Sequence, residues 1–150
     1  MEQKNQPICM EALVPVLLET IKEGKTAELV ITGNSMNPML LHQISRVKLA
    51  APGEPKRGDV VLYRRDNGAF VLHRIVKVTQ EQIICCGDNQ WHLEKGLQPG
   101  QILARVTAFA RQERWACCDS MGYGMYWRFW LLIRPLRHLV IGGLRRLARK

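Results

Sequence analysis

The sequence predicts a mainly β fold, in which a compact antiparallel β domain lies between an N-terminal helix and a C-terminal amphipathic helix. Short apolar segments bounded by turn residues recur through residues 27–110. The pair Asn67-Gly68, between two such segments, is a strong hairpin signal. Both ends of the chain instead space their apolar residues as helices do. We therefore divide the chain into an N-terminal helix at 1–25, a β domain at 26–112 and a basic helical tail at 113–150.

The N-terminal helix is predicted over residues 11–23. Its apolar residues recur at i, i+4 and i+8, namely Leu13, Leu17 and Ile21. Pro15 suits the first turn of a helix better than the interior, so we expect the regular helix to begin there. We do not expect a signal peptide, because the apolar stretch is interrupted at Glu11, Pro15 and Glu19.

The β domain is predicted from six short segments separated by turn residues. Strands of this length with short connections favour antiparallel pairing. The segments are Ala27–Thr32, Val47–Ala50, Val60–Arg64, Phe70–Val78, Gln82–Cys86 and Ile102–Ala110.

The tail is predicted to be helical from Tyr126, with a kink or a new helix at Pro135. One broad face is apolar and consists of Phe129, Leu132, Leu136, Leu139, Val140 and Leu147. Most of the arginines lie opposite, and they make a membrane-spanning helix costly. Residues 111–150 carry nine Lys and Arg against two Asp and Glu, which gives +7 of the chain's +9.

Three partners are compatible with this tail. An anionic membrane surface would contact residues 126–149, because a basic amphipathic helix suits a lipid interface. Alternatively, the tail packs on the β domain or on a partner protein. Nucleic acid is the least expected of the three.

The five cysteines predict free thiols rather than a disulfide framework. Their number is odd, and they lack the CxxC spacing typical of metal or redox sites; they are Cys9, Cys85, Cys86, Cys117 and Cys118. We therefore expect reduced thiols in a cytosolic protein, with neither a metal nor a cofactor.

A serine in a tight turn is the first candidate for chemistry. Ser35 follows the first predicted strand, within Gly33-Asn34-Ser35-Met36-Asn37-Pro38. Such a turn projects the hydroxyl outward and can aim the serine N–H at a substrate carbonyl, as half of an oxyanion hole. The alternative is a plain turn, since these residues are common turn formers.

A histidine in an apolar strand is the second candidate. His73 lies within Phe70–Val78. Serine needs a neighbouring base at neutral pH, and an imidazole suits that role. A lone histidine among apolar residues is otherwise a hydrogen-bonded core residue.

Four short motifs occur in the order found in signal peptidases of family S26. They are Gly-x-Ser-Met-x-Pro at 33–38, Arg-Gly-Asp-Val-Val at 57–61, His-Arg-Ile-Val at 73–76 and Gly-Asp-Asn at 87–89. The chain resembles that family over roughly residues 29–106. His73-Arg74 is similar to the serine–histidine branch found in the endoplasmic reticulum, since the bacterial enzymes have Lys-Arg there. Gly-Asn-Ser-Met is also similar to the Gly-Asp-Ser-Met of LexA.

The resemblance implies a LexA- and signal peptidase-like fold and a serine endopeptidase that needs no cofactor. Ser35 matches the nucleophile and His73 the general base. Asp88 or Glu94 matches the acid that orients the histidine. Gly87-Asp88-Asn89 is the better matched segment and slightly favours Asp88, but the choice between them stays open. Lys77 is a second candidate for the base, because strand alternation puts it on the face of His73. It is the weaker one, because it lies beyond the position that matches the family's base.

The chain departs from the signal peptidase pattern at Gly33. That family has a serine there, whose hydroxyl assists the oxyanion hole, so the second donor is open between Asn34 and Thr32. The resemblance also implies that Met36 packs beside the substrate cleft. The strand Ala27–Thr32 is expected to pair with an extended peptide.

The expected function is cleavage of a leader or precursor peptide by a cytoplasmic enzyme, held peripherally at the inner membrane face. An inactive peptide-binding module of the same fold is one alternative. A self-cleaving regulator of the LexA kind is another, although residues 1–30 contain no Ala-Gly cleavage dipeptide.

Overall fold

The described part of the chain forms one antiparallel sheet, which confirms the prediction of a mainly β fold. The structure is a computed structural model that describes residues 9–149. Within that range the sheet has eight strands in the order β1-β2-β7-β3-β4-β5-β6, with β8 paired to β7. The strands are β1 (Ala27–Val30), β2 (Ser45–Ala50), β3 (Val60–Arg64), β4 (Phe70–Val78), β5 (Ile83–Cys86), β6 (Glu94–Leu97), β7 (Ile102–Arg111) and β8 (Arg114–Cys117).

Helices precede and follow the sheet, as predicted. They are α1 (Met10–Lys22), α2 (Met121–Leu132) and α3 (Arg137–Leu147), with short 3-10 turns at Pro99–Gln101 and Arg134–Leu136. The second turn contains Pro135 and separates α2 from α3, as a proline that cannot continue a helix requires. None of the helices in residues 9–149 is long and apolar enough to cross a membrane.

Three details differ from the sequence prediction. Helix α1 begins at Met10 and contains Pro15 in its interior rather than at its start. Helix α2 begins at Met121, five residues before the predicted start, because the Ser120 side chain accepts the N–H of Tyr123 and caps it. Strand β8 lies in the range 113–150, for which we predicted a helical tail.

Two strands were not predicted, and both lack the apolar alternation on which the prediction rests. Every residue of β8 is exposed. β6 has a single buried residue, Leu97. Each is held instead by its backbone pairing, β8 to β7 and β6 to β5.

Strand β3 is buried on both faces and separates two apolar clusters. Val60 and Leu62 face the larger cluster, which α1 covers, whereas Val61 and Tyr63 face the smaller one. In the β3–β4 register Val61 lies opposite His73 and Tyr63 opposite Val71. Residues two apart on a strand share a face, so Tyr63 and His73 are diagonal neighbours on the side of the smaller cluster.

Helix α2 packs on the β domain over a buried ion pair. Arg74 donates to both carboxylate oxygens of Asp88 at 2.8 Å, and neither side chain is more than 1% exposed. The hydroxyls of Tyr123 and Tyr126, from α2, hydrogen-bond to Arg74 and Asp88 respectively. Trp130 donates to the backbone carbonyl of Asp88 at 2.9 Å. The start of the predicted tail is thus part of the folded domain.

Candidate active site

The turn that carries Ser35 is anchored by the loop after β5. The N–H of Asn89 donates to the carbonyl of Ser35 at 2.9 Å, and its side-chain amide donates to the carbonyl of Asn34 at 3.1 Å. A Cβ on Gly87 would lie 2.5 Å from the Ser35 carbonyl oxygen. Only glycine therefore permits this approach, which links the predicted Gly-Asp-Asn motif physically to the serine turn.

The backbone of the turn leaves the serine N–H available. Gly33 adopts a φ of +86°, which favours glycine, and its N–H donates to Nδ1 of His42 at 2.7 Å. By contrast, the N–H of Ser35 makes no hydrogen bond within residues 9–149. It is free to donate to a substrate oxygen. Thr32 lines the adjoining cleft, while Asn34 is exposed.

Ser35 and His73 line the same cleft. This first cleft has a volume of about 300 Å³. Ser35 is half-buried, whereas His73 is only 4% exposed. No hydrogen bond joins the two side chains in the structure, and such contacts often tighten only when substrate is bound. The two residues predicted to act together therefore line one cleft.

One side of the His73 ring is occupied by a hydrogen-bonded chain. Nδ1 of His73 lies 3.2 Å from the hydroxyl of Tyr63, and that hydroxyl donates to Oε2 of Glu94. Arg65 holds the same carboxylate through two bonds, at 2.6 and 3.1 Å. Glu94 Oε2 is itself 3.9 Å from Nδ1 of His73.

The protonation of this chain determines which nitrogen of His73 is free. Burial acts to raise the pKa of the Glu94 carboxyl, but hydrogen bonds from Arg65 and Tyr63 lower it overall, so it is an acceptor only. Burial and Glu94 together raise the pKa of Tyr63, which keeps its proton. The single hydroxyl proton goes to Glu94, so the Tyr63 oxygen accepts from Nδ1–H of His73. Nε2 then carries the lone pair.

His73 is neutral at physiological pH. Burial lowers the pKa of its imidazole to about 4, against the opposing effect of the Glu94 charge. A neutral imidazole with a free Nε2 is the form that accepts a proton from a serine hydroxyl.

The structure separates the two candidate acids. Glu94 belongs to the chain on His73, whereas Asp88 is bonded to Arg74 and to Tyr126. Lys77, the weaker candidate for the base, is exposed and lines neither cleft at His73. Met36 is 2% exposed, packs in the larger cluster and lines the first cleft.

A second cleft, of about 640 Å³, adjoins the first. The two share Arg65, His73 and Gln90. The second is walled on its far side by α3, through His138, Ile141 and Arg145. His73 thus lies where two clefts meet, and an extended chain could occupy both.

Three residues of this arrangement were missed from the sequence. They are Tyr63, Arg65 and Gln90. Tyr63 looks like an ordinary apolar strand residue, and only the β3–β4 register places it beside His73. Arg65 and Gln90 look like surface residues and lie outside the strands, so only the folded structure brings them to the clefts.

Within the described residues, no group of three or more His, Cys, Asp or Glu side chains is placed to hold a metal ion. No protein-family model matches the chain, and no curated protein matches it either.

Proposed function

We propose that this protein is a serine endopeptidase of the signal peptidase type, with Ser35 as nucleophile and His73 as general base. One observation carries the proposal. Ser35 and His73 share a cleft, while the Tyr63–Glu94 pair occupies the Nδ1 side of the imidazole and leaves Nε2 free.

The reaction follows from these positions. Nε2 of His73 takes the hydroxyl proton as Oγ of Ser35 bonds to the carbonyl carbon of the peptide. The resulting oxyanion accepts the N–H of Ser35. The imidazolium then gives its proton to the leaving amine nitrogen, and the C–N bond breaks to leave an acyl-enzyme. A water molecule then attacks the acyl carbon while Nε2 of His73 takes its proton. The bond to Oγ of Ser35 breaks as the imidazolium returns that proton to Oγ, which releases the carboxylic acid and restores Ser35.

The second oxyanion donor is assigned to Gln90. Gln90 lines both clefts, together with Ser35 in the first and with His73 in both. A side-chain amide can donate to an oxyanion as a backbone N–H does, and one such donor contributes about 100- to 1,000-fold in rate. This assignment replaces the hydroxyl that Gly33 cannot supply.

The substrate is an extended peptide, such as a leader or precursor peptide, processed on the cytoplasmic side. β1 lies at the edge of the sheet and pairs only with β2 among the described strands. Residues 29–33 line the first cleft, so the free edge of β1 can add a peptide strand. The same cleft has apolar walls, at Met36, Leu62 and Phe70, which suit an apolar substrate side chain.

An inactive peptide-binding module is the second candidate. Two observations favour it: Ser35 and His73 are not hydrogen-bonded to each other, and burial lowers the pKa of His73 to about 4, which makes it a weak base. The cleft and the strand edge would then bind peptides without cleaving them.

Covalent labelling separates the two. The wild-type protein is treated with a fluorophosphonate and compared with Ser35→Ala, His73→Ala and, as a matched control in the same strand, Lys77→Ala. An endopeptidase predicts labelling in the wild type and the control but not in the other two variants. Absence of labelling in a folded wild type, together with peptide binding in the cleft, would establish the binding module instead.

A further inference from the structure

We propose that α2 and α3 dock this protein on an anionic lipid bilayer through exposed apolar stripes flanked by arginines. The proposal goes beyond the peptidase function and is independent of it. It rests on the placement of side chains on the two helices.

The outer face of α2 is apolar and exposed. Four large side chains recur at i, i+4, i+8 and i+11 and lie within an arc of about 80°. They are between 58% and 85% exposed, whereas a lone exposed apolar residue would need no explanation. They are Met121, Met125, Phe129 and Leu132.

α3 continues with a second stripe. Its members, with Leu136 from the preceding turn, are between 42% and 72% exposed. They are Leu136, Leu139, Val140, Leu144 and Leu147. On another face of α3, Ile141 and Arg145 line the second cleft.

The stripes belong to helices that are fixed on the domain. Tyr123, Trp130 and Arg137 are each less than 10% exposed, and Arg137 donates to the carbonyl of Asp88 at 2.6 Å. The inner face of α2 and the first residue of α3 are therefore held on the domain by packing and hydrogen bonds. Nothing within residues 9–149 covers the outer faces, so both apolar stripes are exposed to solvent.

Charge selects the partner. Residues 120–149 contain six arginines and neither Asp nor Glu. A second copy would place these arginines against one another, and nucleic acid would leave the apolar stripes in water. An anionic bilayer accepts both, with apolar side chains in the interface and arginines at the headgroups. Among the arginines, Arg128, Arg145, Arg146 and Arg149 are exposed.

An aromatic residue lies beside the start of α3. Trp91 is 70% exposed, lines the second cleft and has its ring 6.2 Å from that of His138. Tryptophan favours the headgroup region of a bilayer. Trp91 is therefore a further exposed residue that suits the headgroup region.

Vesicle flotation of the full chain tests the proposal. Vesicles of phosphatidylcholine alone are compared with vesicles that also contain phosphatidylglycerol, at low and high salt. Each exposed arginine is expected to contribute about 5-fold to partitioning, so anionic vesicles should bind at least about 100-fold more strongly, and salt should weaken binding.

Matched variants locate the surface. Phe129→Glu with Leu132→Glu, and separately Leu139→Glu with Leu147→Glu, should each reduce flotation at least about 10-fold. Val16→Glu, at a 63% exposed residue of α1, is the control and should leave flotation unchanged. Thermal melting of every variant shows whether it is folded. Ser35→Ala should still float, because docking does not depend on the peptidase.

Three outcomes would contradict docking on an anionic bilayer. If the folded wild type does not float with anionic vesicles, or if Val16→Glu loses as much binding as the helix variants, the proposal is wrong. It is also wrong if the wild type elutes as an oligomer that Leu132→Glu dissociates, since another protein surface would then cover the stripes.

Discussion

The hydroxyl of Tyr63 lies 3.2 Å from Nδ1 of His73 and bridges it to the Glu94 carboxylate. Serine hydrolases usually place the acid directly on the histidine. In the proposed site the carboxylate of Glu94 lies 3.9 Å from Nδ1 of His73, and the Tyr63 hydroxyl contacts both. We therefore expect Tyr63, which lines neither cleft, to act as a positioning residue for His73.

Tyr63→Phe removes the hydroxyl and keeps the ring in the smaller apolar cluster. Nδ1–H of His73 then loses its acceptor, so the hydrogen bond that orients the ring and leaves Nε2 free is gone. A general base contributes about 100- to 10,000-fold to rate, and losing only its orientation should reduce kcat by roughly 10- to 100-fold. KM should change little, because Tyr63 does not line the clefts. Steady-state kinetics on a cleaved peptide measures both.

Tyr126→Phe is the control for that experiment. Tyr126 is likewise a tyrosine bonded to a carboxylate, in this case Asp88 under α2. Its loss should reduce thermal stability and leave kcat within about 2-fold. Equal losses of kcat in the two variants would show that Tyr63 supports the fold rather than the base.

The sequence points to both members of the proposed dyad but not to the hydrogen-bonded chain on His73. Ser35 is marked by its turn and His73 by its place in an apolar strand. Tyr63 depends on hairpin register. A two-residue Asn67-Gly68 loop would pair residues 66 and 69 and put Tyr63 on the face opposite His73. The structure instead has a three-residue loop with Gly68 at φ +88°, which pairs Arg64 with Phe70.

The open choice of acid shows a similar limit. Motif matching favoured Asp88 slightly, because Gly87-Asp88-Asn89 matched the family better than Glu94 did. Adjacent residues of a strand point to opposite faces, so the partner of Arg74 lies across the sheet from His73. The alternation was readable from the sequence, but the pairing of Asp88 with Arg74 was not, since it joins strand β4 to the loop after β5.

Glu94→Gln should therefore affect mainly kcat, whereas Asp88→Asn should affect mainly the free energy of unfolding. Glu94→Gln keeps the shape of the side chain but removes the charge that favours the imidazolium, and kcat should fall by roughly 10- to 100-fold with stability nearly kept. Asp88→Asn leaves the guanidinium of Arg74 buried without its charge partner. Breaking such a pair costs about 3–5 kcal/mol, so the free energy of unfolding should drop.

Urea unfolding and kinetics on both variants test this difference. The assignment fails if Asp88→Asn is as stable as the wild type and loses activity, whereas Glu94→Gln remains fully active. Asp88 would then be the acid of the site.

The pH dependence of the reaction should reflect the burial of His73. Burial lowers its pKa to about 4, although Glu94 raises it in part and Arg65 lowers it further. Only the neutral imidazole accepts a proton, so kcat/KM should stay level from neutral pH into moderate acid and decline as pH falls toward 4. In Glu94→Gln the decline should move to lower pH, since the charge that favours the imidazolium is gone. An acid limb near the ordinary histidine value of 6.5 in the wild type would contradict this.

The same pKa predicts acid destabilisation. His73 has a lower pKa in the folded than in the unfolded chain, so the unfolded state binds the proton first as pH falls. Protonation of His73 therefore does not affect the free energy of unfolding above pH 6.5. It lowers that free energy progressively as pH falls from 6.5 to about 4. Urea unfolding at neutral and mildly acidic pH should show that acid lowers the free energy of unfolding less in His73→Gln than in the wild type. Identical losses would indicate that His73 titrates normally.

The contact of Gly87 with the serine turn predicts that this glycine fixes the position of Ser35. In Gly87→Ala the new methyl group would lie 2.5 Å from the Ser35 carbonyl oxygen, a backbone atom that moves only with the whole turn. The nucleophile should shift by a fraction of an ångström or more, and a misplacement near 1 Å can cost about 100-fold in rate. Fluorophosphonate labelling rates measure this directly. Gly100→Ala is the control, because a Cβ there meets nothing within 4 Å, and its labelling should match the wild type. Unchanged labelling of Gly87→Ala would show that the loop after β5 does not position Ser35.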